Sequence, residues 1–269
     1  MRLAAVESRN VTCQEPLPPI FWERAHASNV WDADGNRFVD LGAGFGVAGV
    51  GHAHPRVVEA VARQLARLPH AMGDVHPAVA KVELLEALAA RFPGGVPARS
   101  VLGSSGSDAV EIALKTALLA TGRPGLVAFE GAYHGVHQGA VSLTSSRHYL
   151  EFAGVPRQRV FRLPYPYSYR FPFPVERRGD ESKIVLRYLE HLIEDEHSGL
   201  DDLAGIIVEP VEGEGGYIPP PGDFLPGLRE IADKAEAPLI IDEVQTGFGR
   251  TGKFWGCELT GTTPDIMCV

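Results

Sequence analysis

The stretch that most constrains this chain runs from Pro238 to Gly252, P-L-I-I-D-E-V-Q-T-G-F-G-R-T-G. Leu239, Ile240 and Ile241 form an apolar run without alternation, the pattern of a short strand buried on both faces of a parallel sheet. The run stops at two carboxylates, Asp242 and Glu243, and a glycine-bearing loop follows. Ligands of open α/β sheets collect at the carboxyl ends of strands, so Asp242 stands where a ligand is met. Gly247 to Lys253 also fits G-x-x-x-x-G-K, but a phosphate loop of that kind needs Ser or Thr next, where this chain has Phe254. The nucleotidase reading is set aside on that context.

Before this stretch the chain alternates strands with helices. Residues 1–28, with Pro16, Pro18 and Pro19, read as an irregular arm. Two short strands flank Asp34-Gly35, a strong hairpin turn, and a glycine-rich loop, Gly42 to Gly51, comes next. His52 and His54 alternate in a loop with no third ligand nearby, so no metal site is read there. Pro55 opens a helix with Val57, Val58, Val61, Leu65 and Leu68 at helical spacing, and a second helix covers about 77–92. Both read as core-packing helices.

A short strand is expected to end at Gly103, followed by the Ser/Gly turn S-S-G-S-D and an amphipathic helix through Val110, Ala113, Leu114, Ala117 and Leu118. Free N–H groups at that helix start, with the hydroxyls of Ser105 and Ser107, suit a phosphate. A plain capping turn, closed by Ser107 or Asp108, accounts for the same residues equally well. The strand L-V-A-F-E leads into G-A-Y-H-G-V-H-Q-G, whose aromatic pair can lie against a planar ligand. Residues 145–180, rich in Tyr, Pro and Arg, read as a surface excursion. A helix over about 180–196 precedes the strand Gly205 to Val208, which ends at Glu209 and a second ligand-facing turn, E-P-V-E-G-E-G-G. A helix through Phe224, Leu228, Ile231 and Ala235 returns the chain to Pro238.

Composition narrows the partners. At 269 residues the chain can bury a sizeable core, and a net charge of −9 with no basic run argues against nucleic acid or an anionic membrane. Cys13, Cys257 and Cys268 lack disulfide or metal spacing, no stretch reaches transmembrane length, and the start lacks a signal-peptide core. A cytoplasmic protein is expected. The phosphate turn, the Tyr-His loop and Asp242 together suit a flat cofactor with a phosphate at one edge and a basic ring nitrogen at the other. A carboxylate beside that nitrogen keeps it protonated, which makes the ring an electron sink, as in pyridoxal phosphate.

The ordered motifs V-W-D-A-D-G-N, G-H-A-H-P, S-S-G-S-D-A-V-E-I-A-L-K, F-E-G-A-Y-H-G, I-I-V-E-P-V-E-G-E-G-G and I-I-D-E-V-Q-T-G-F-G-R-T-G-K resemble the class III pyridoxal-phosphate-dependent aminotransferases of fold type I. The resemblance implies an α/β fold, a mostly parallel sheet of the seven-stranded type flanked by helices. Residues 1–54 are then an arm, a hairpin and a glycine-rich substrate loop, and residues 55–269 the cofactor-binding large domain, incomplete at its C-terminus. It implies that Ser105, Gly106 and Ser107 hold the phosphate, that Tyr133 stacks on the ring with His134 beside it, and that Asp242 pairs with the pyridine nitrogen. Val244 packs on the other face, Gln245 bonds the phenolic oxygen, Glu209 supports the cofactor side, and Phe45, Val136 and Glu214 line the substrate side. Partners are a small-molecule amino donor and a 2-oxo acid, and a second copy of the chain as a homodimer.

Two departures bear on activity. Val136 stands where relatives acting on 4-aminobutyrate or ornithine carry an arginine for a substrate carboxylate. The family's Schiff-base lysine and small C-terminal domain fall beyond P-D-I-M-C-V, and Lys81, Lys115, Lys183, Lys234 and Lys253 all stand elsewhere. The expected function is aminotransfer from an amino acid or ω-amino compound to a 2-oxo acid, with the chain alone expected to be inactive and to leave apolar surface uncovered. An inert pyridoxal-phosphate-binding or dimerisation fragment, and an aminomutase of the glutamate-semialdehyde kind, are the alternatives.

Overall fold

The computed structural model describes residues 2–8, 11–12, 19–150, 158–200 and 202–269. Residues 1–76 and 77–269 form two compact units. The division falls after His76, whereas the sequence reading places it after His54.

The N-terminal unit holds α1 (Arg2–Val6), β1 (Trp22–His26), β2 (Asn29–Asp32), β3 (Arg37–Val39) and α2 (Pro55–Arg67). The three strands make an antiparallel sheet in chain order. Asp32 accepts hydrogen bonds from the N–H groups of Asp34 and Asn36 and so closes the expected hairpin. The arm is not wholly irregular: Trp22–His26 pairs with β2, and pairing supplies the partners that sequence alone does not reveal. Pro16 and Pro18 lie outside the described residues. Asp40 ties the glycine-rich loop down, accepting from the N–H groups of Gly42 and Gly44 and facing His52 Nε2 at 2.7 Å.

The larger unit is a five-stranded parallel sheet in the order β5-β4-β6-β7-β8, formed by Val160–Leu163, Gly125–Phe129, Leu203–Val208, Leu239–Asp242 and Ile266–Cys268. In chain order its helices are α3 (Val79–Ala89), α4 (Gly106–Thr121), α5 (Gln138–Leu143), α6 (Arg147–Leu150), α7 (Glu181–Glu194) and α8 (Phe224–Lys234). Although the strands read as continuous apolar runs, their side chains divide by pleat. Leu126, Ala128, Ile207 and Ile240 pack with Val110, Ala113, Leu114 and Ala117 of α4. Val127, Phe129, Ile206, Leu239 and Ile241 pack with Val185 and Leu189 of α7 and Leu228 and Ile231 of α8. Both faces are thus covered, as a parallel sheet requires. Each fully buried Leu or Ile contributes about 1.5–3 kcal/mol relative to exposure.

Three expectations are corrected. The strand expected to end at Gly103 does not form: among the described residues the sheet has five strands, and residues 98–103 run without a ladder partner. A cavity of about 740 Å³ lies instead between that segment and Ile266–Val269. The excursion 145–180 is not all surface: Val160–Leu163 joins the sheet beside β4, and Tyr165 is buried. That strand is hard to foresee because it is only four residues long and contains Arg162. Finally, α2 and α3 carry no buried residue; Val57, Val58, Val61 and Leu65 of α2 and Val79 and Val82 of α3 are exposed. Helical periodicity reveals an apolar stripe but not whether anything covers it.

Exposed apolar side chains on α2, α3 and at Val101 and Leu102 predict concentration-dependent association of this chain. Size-exclusion with light scattering from low to high micromolar concentration should show growing species; a clean monomer with one cooperative melt would contradict this.

Candidate functional site

The chain leaves β4 toward β5 on one side and returns as β6 on the other, so the strand order reverses between β4 and β6 while the strands stay parallel. Such a switch point opens a crevice at the carboxyl ends of the strands. The loops that begin at Glu130, Glu209 and Glu243 all leave from that edge.

Asp242 closes β7 and is 4 % exposed. Its Oδ2 lies 2.7 Å from Nδ1 of His134, and its Oδ1 accepts from the N–H of Val244. His134 comes from the loop after β4, where its backbone N–H donates to Thr144 Oγ1. Burial alone pulls the imidazole pKa down, but the hydrogen bond to Asp242, the charge of Asp242 and the charge of Glu209 together outweigh it, and the pKa is raised. The ring is therefore favoured as an imidazolium facing the carboxylate. Its Nε2 is buried without a hydrogen-bond partner among the described residues.

The turn before α4 meets the same loop. Ser105 caps the helix, accepting from Asp108 N–H at 3.2 Å, and Asp108 accepts from Ser104 N–H. Capping thus falls to Ser105 and Asp108. Gly106 and Ser107 occupy the first helical turn, whose N–H groups have no intrahelical acceptor. Ser107 Oγ accepts from the N–H groups of Val136 and His137, which leaves its own proton free to donate. Gly135 permits this approach: its φ is +105° and a Cβ there would lie 2.5 Å from Ser107 Oγ. Val244 stands against Gly106, where a Cβ would fall 2.7 Å from Val244 Cγ1.

Glu209 follows β6. Its two oxygens accept from Tyr133 N–H at 3.0 Å and Gly213 N–H at 2.9 Å. Burial drives its pKa up to about 7, with Asp242 adding to the rise and His134 and the two N–H groups opposing it. Gln245 packs against Gly213. The ring of Tyr133 lies 4.8 Å from that of Tyr149, whose hydroxyl donates to Glu214 Oε1 at 3.1 Å.

Ser105, Gly106, Ser107, Tyr133, His134, Val136, Glu209, Glu214, Asp242, Val244 and Gln245 are thus joined through shared contacts in the larger unit. Phe45 stands in the N-terminal unit, 87 % exposed and in the left-handed region at φ 59°. Sequence reasoning missed Tyr149 and the His134–Asp242 pair. Tyr149 falls in the excursion, where a lone aromatic carries no periodic signal, and a pairing across 108 positions leaves no local trace. Among the described residues no group of three His, Cys, Asp or Glu is placed to hold a metal, and no helix is long and apolar enough to cross a membrane.

The donor set fits a flat, phosphate-bearing ring with a basic nitrogen. Free N–H groups and a hydroxyl proton of the α4 turn stand directly beside Val244, and Val244 follows Asp242 by two positions. Anion donors, an apolar ring contact and a buried carboxylate are therefore in sequence along one ligand's length.

The family described as aminotransferase class-III matches residues 11–269. The chain is 39 % identical over 254 residues to a 4-aminobutyrate aminotransferase of Mycobacterium tuberculosis, covering 93 % of this chain and 56 % of that protein. It is 39 % identical over 250 residues to a 5-aminovalerate aminotransferase of Pseudomonas aeruginosa, covering 93 % and 57 %. An (S)-enantioselective omega-transaminase from Thermomicrobium roseum superposes with a TM-score of 0.89 at 32 % identity, over 99 % of this chain and 61 % of that one. The PMP-bound form of an aminotransferase from Vibrio fluvialis gives 0.90 at 28 %, over 99 % and 60 %. The chain thus spans little more than half the length of the relatives it matches.

Removing one member of a buried ion pair strands the other. His134→Ala should lower the unfolding free energy by about 3–5 kcal/mol, and the double variant with Asp242→Ala should cost clearly less than the two single losses added. Urea denaturation of the four proteins checks this; additive losses would show that the pair is not coupled.

Proposed function

The chain belongs to the class III aminotransferases, and from that membership we propose that the protein moves an amino group from an amino donor to a 2-oxo acid, with pyridoxal phosphate at the carboxyl ends of β4, β6 and β7. The observation that carries this reading is the buried Asp242, paired with His134 and set beside the open helix turn of α4. When bound, the cofactor supplies a protonated ring that accepts the electron pair released at the donor carbon.

The residues divide the remaining work. Gly106 and Ser107 bind the phosphate through first-turn N–H groups and the Ser107 hydroxyl, and Ser105 holds that turn in shape by capping it. Asp242 holds the proton on the ring nitrogen, because an opposite charge in a low-dielectric site favours the charged form. His134 keeps that carboxylate oriented through their 2.7 Å contact. Val244 and Tyr133 exclude water from the two ring faces, Gln245 orients the phenolic oxygen, and Glu209 fixes the backbone of Tyr133. Tyr149 anchors Glu214 on the substrate side, with Val136 as a further substrate contact.

Amino donors bearing the amine on a terminal carbon agree with the 4-aminobutyrate and 5-aminovalerate relatives. The exposed stripe on α2 suits an interface between two copies of the chain. Cys257 and Cys268 are buried free thiols, in keeping with a reducing cytoplasm.

The test begins with binding. Pyridoxal phosphate titrated into this chain should produce a saturable, dialysable change in cofactor absorbance, and Asp242→Ala should weaken it at least tenfold, about 1.4 kcal/mol. An unsaturable change, or an unaffected Asp242→Ala variant, would overturn the assignment of this pocket. Transfer from 4-aminobutyrate or 5-aminovalerate to 2-oxoglutarate is then followed by mass spectrometry. Transferred nitrogen supports the aminotransferase, rearrangement within one substrate supports the aminomutase, and binding without turnover supports a cofactor-binding fragment.

A further inference from the structure

Glu212 is a buried acid for which the pocket described above has no role. It sits in the turn after β6, is 1 % exposed, and its backbone pairs in both directions with Ile218. Two loops close on its carboxyl group. A Cβ at Gly131 would lie 2.5 Å from its Oε2, and a Cβ at Gly215 would lie 2.8 Å from the same atom and 2.7 Å from the carbonyl oxygen of Gly131. Gly131 opens the loop that carries Tyr133 and His134, and Gly215 adjoins Glu214. The Oε1 of Glu212 is buried with no hydrogen-bond partner among the described residues.

We infer that Glu212 is a positioning residue: wedged as a proton-bearing acid between Gly131 and Gly215, it locks the loop of Tyr133 to the loop of Glu214. An ionised carboxyl with a bare oxygen is untenable at this place, since burial without partners penalises charge. The ionisable groups facing it offer no relief: Glu209 and Glu130 are acids, and Tyr165, the other near group, is itself held protonated, chiefly by burial. Burial first, then Glu209 and Glu130, push the Glu212 pKa up to about 9. The neutral acid also spares Glu209 a neighbouring charge, so Glu209 can serve as the acceptor for Tyr133 N–H.

The sign of the pH dependence follows. Folded Glu212 keeps its proton to about pH 9, whereas unfolded it loses the proton in the ordinary carboxyl range, so between those limits the folded state binds the extra proton. Stability contributed by Glu212 is whole below the ordinary range and is lost progressively as pH rises toward 9. Above about 7 Glu209 has already titrated; His134 and the buried thiols of Cys257 and Cys268 are also raised, so it is the difference between wild type and Glu212→Gln, which share every other group, that isolates Glu212 up to 9.

The test compares wild type, Glu212→Gln and Glu212→Ala by melting and by amide hydrogen exchange of residues 130–135 at matched pH. Glu212→Gln reproduces the neutral acid: its melting temperature should meet wild type near pH 5 and exceed it increasingly from 7 to 9. Loop exchange should be equal in the two proteins at pH 7 and at least threefold faster in wild type at pH 9.5. Glu212→Ala should speed loop exchange tenfold at pH 7, where Glu212→Gln does not. Parallel melting curves for wild type and Glu212→Gln, or unchanged loop exchange in Glu212→Ala, would overturn the inference. Should Glu212→Ala not fold, the Glu212→Gln profiles still decide. The role toward pyridoxal phosphate rests on the function proposed above, and a weaker affinity in Glu212→Ala than in Glu212→Gln would extend the inference to it. If wild type binds no cofactor at all, that function fails while the exchange and melting results still judge Glu212.

Discussion

A carboxylate at the end of a fully buried strand needs a positive partner, and the contact between Asp242 and His134 is the one on which the pocket depends. Asp242 is 4 % exposed and His134 2 %, so neither is solvated enough to stand alone. Their 2.7 Å contact spans 108 positions and draws the loop after β4 onto the end of β7. That draw places Gly135 against Ser107 and brings the start of α4 into the same neighbourhood. Three separate pieces of chain are thus tied by one charge interaction and the close approach it enforces.

Register does the rest. Val208 of β6 pairs with Ile241 of β7, so the next residues, Glu209 and Asp242, emerge side by side at the same level of the sheet. A slip of one position would turn the alternate faces over, sending Ile240 toward α7 and α8 and Ile241 toward α4. The apolar pattern that builds the core is therefore the same pattern that sets the acids at the edge. Three acids within one crevice would repel strongly if all were charged, and each is treated differently. Asp242 is neutralised by an imidazolium, Glu209 is supported by two N–H donors, and Glu212 keeps its proton.

What could be read from sequence follows the same physics. The strands Leu203–Val208 and Leu239–Asp242 and the helices α4, α7 and α8 announce themselves because their residues obey a local period and end at recognisable stops such as Gly122 and Glu209. Val160–Leu163 escaped because its membership depends on an edge of β4 that local pattern does not encode. The opposite error arose at residues 98–103, where local pattern promised a strand that has no ladder partner. At the site, the motif residues were legible one by one, since glycines and acids after apolar runs are conspicuous. Their mutual roles were not: Ser107 serving Val136 and His137, Tyr149 reaching Glu214, and Glu212 lying between two glycines are contacts across loops, invisible until the loops are placed.

Under the proposed function, the distribution of charge also bears on where the phosphate donors sit. With Asp242, Glu209 and the nearby Glu214 against one imidazolium, the strand-end side of the crevice is biased negative and favours a protonated ring while opposing a phosphate. A ligand bearing both groups can be satisfied only if its phosphate is met by neutral or positive donors at a distance from the acids. The start of α4 provides that through backbone N–H groups, a helix dipole and the Ser107 proton, without a lysine or arginine. The segment S-S-G-S-D carries no cation, so under the proposed function the phosphate end relies on backbone N–H groups and the Ser107 hydroxyl, with Val244 standing against Gly106.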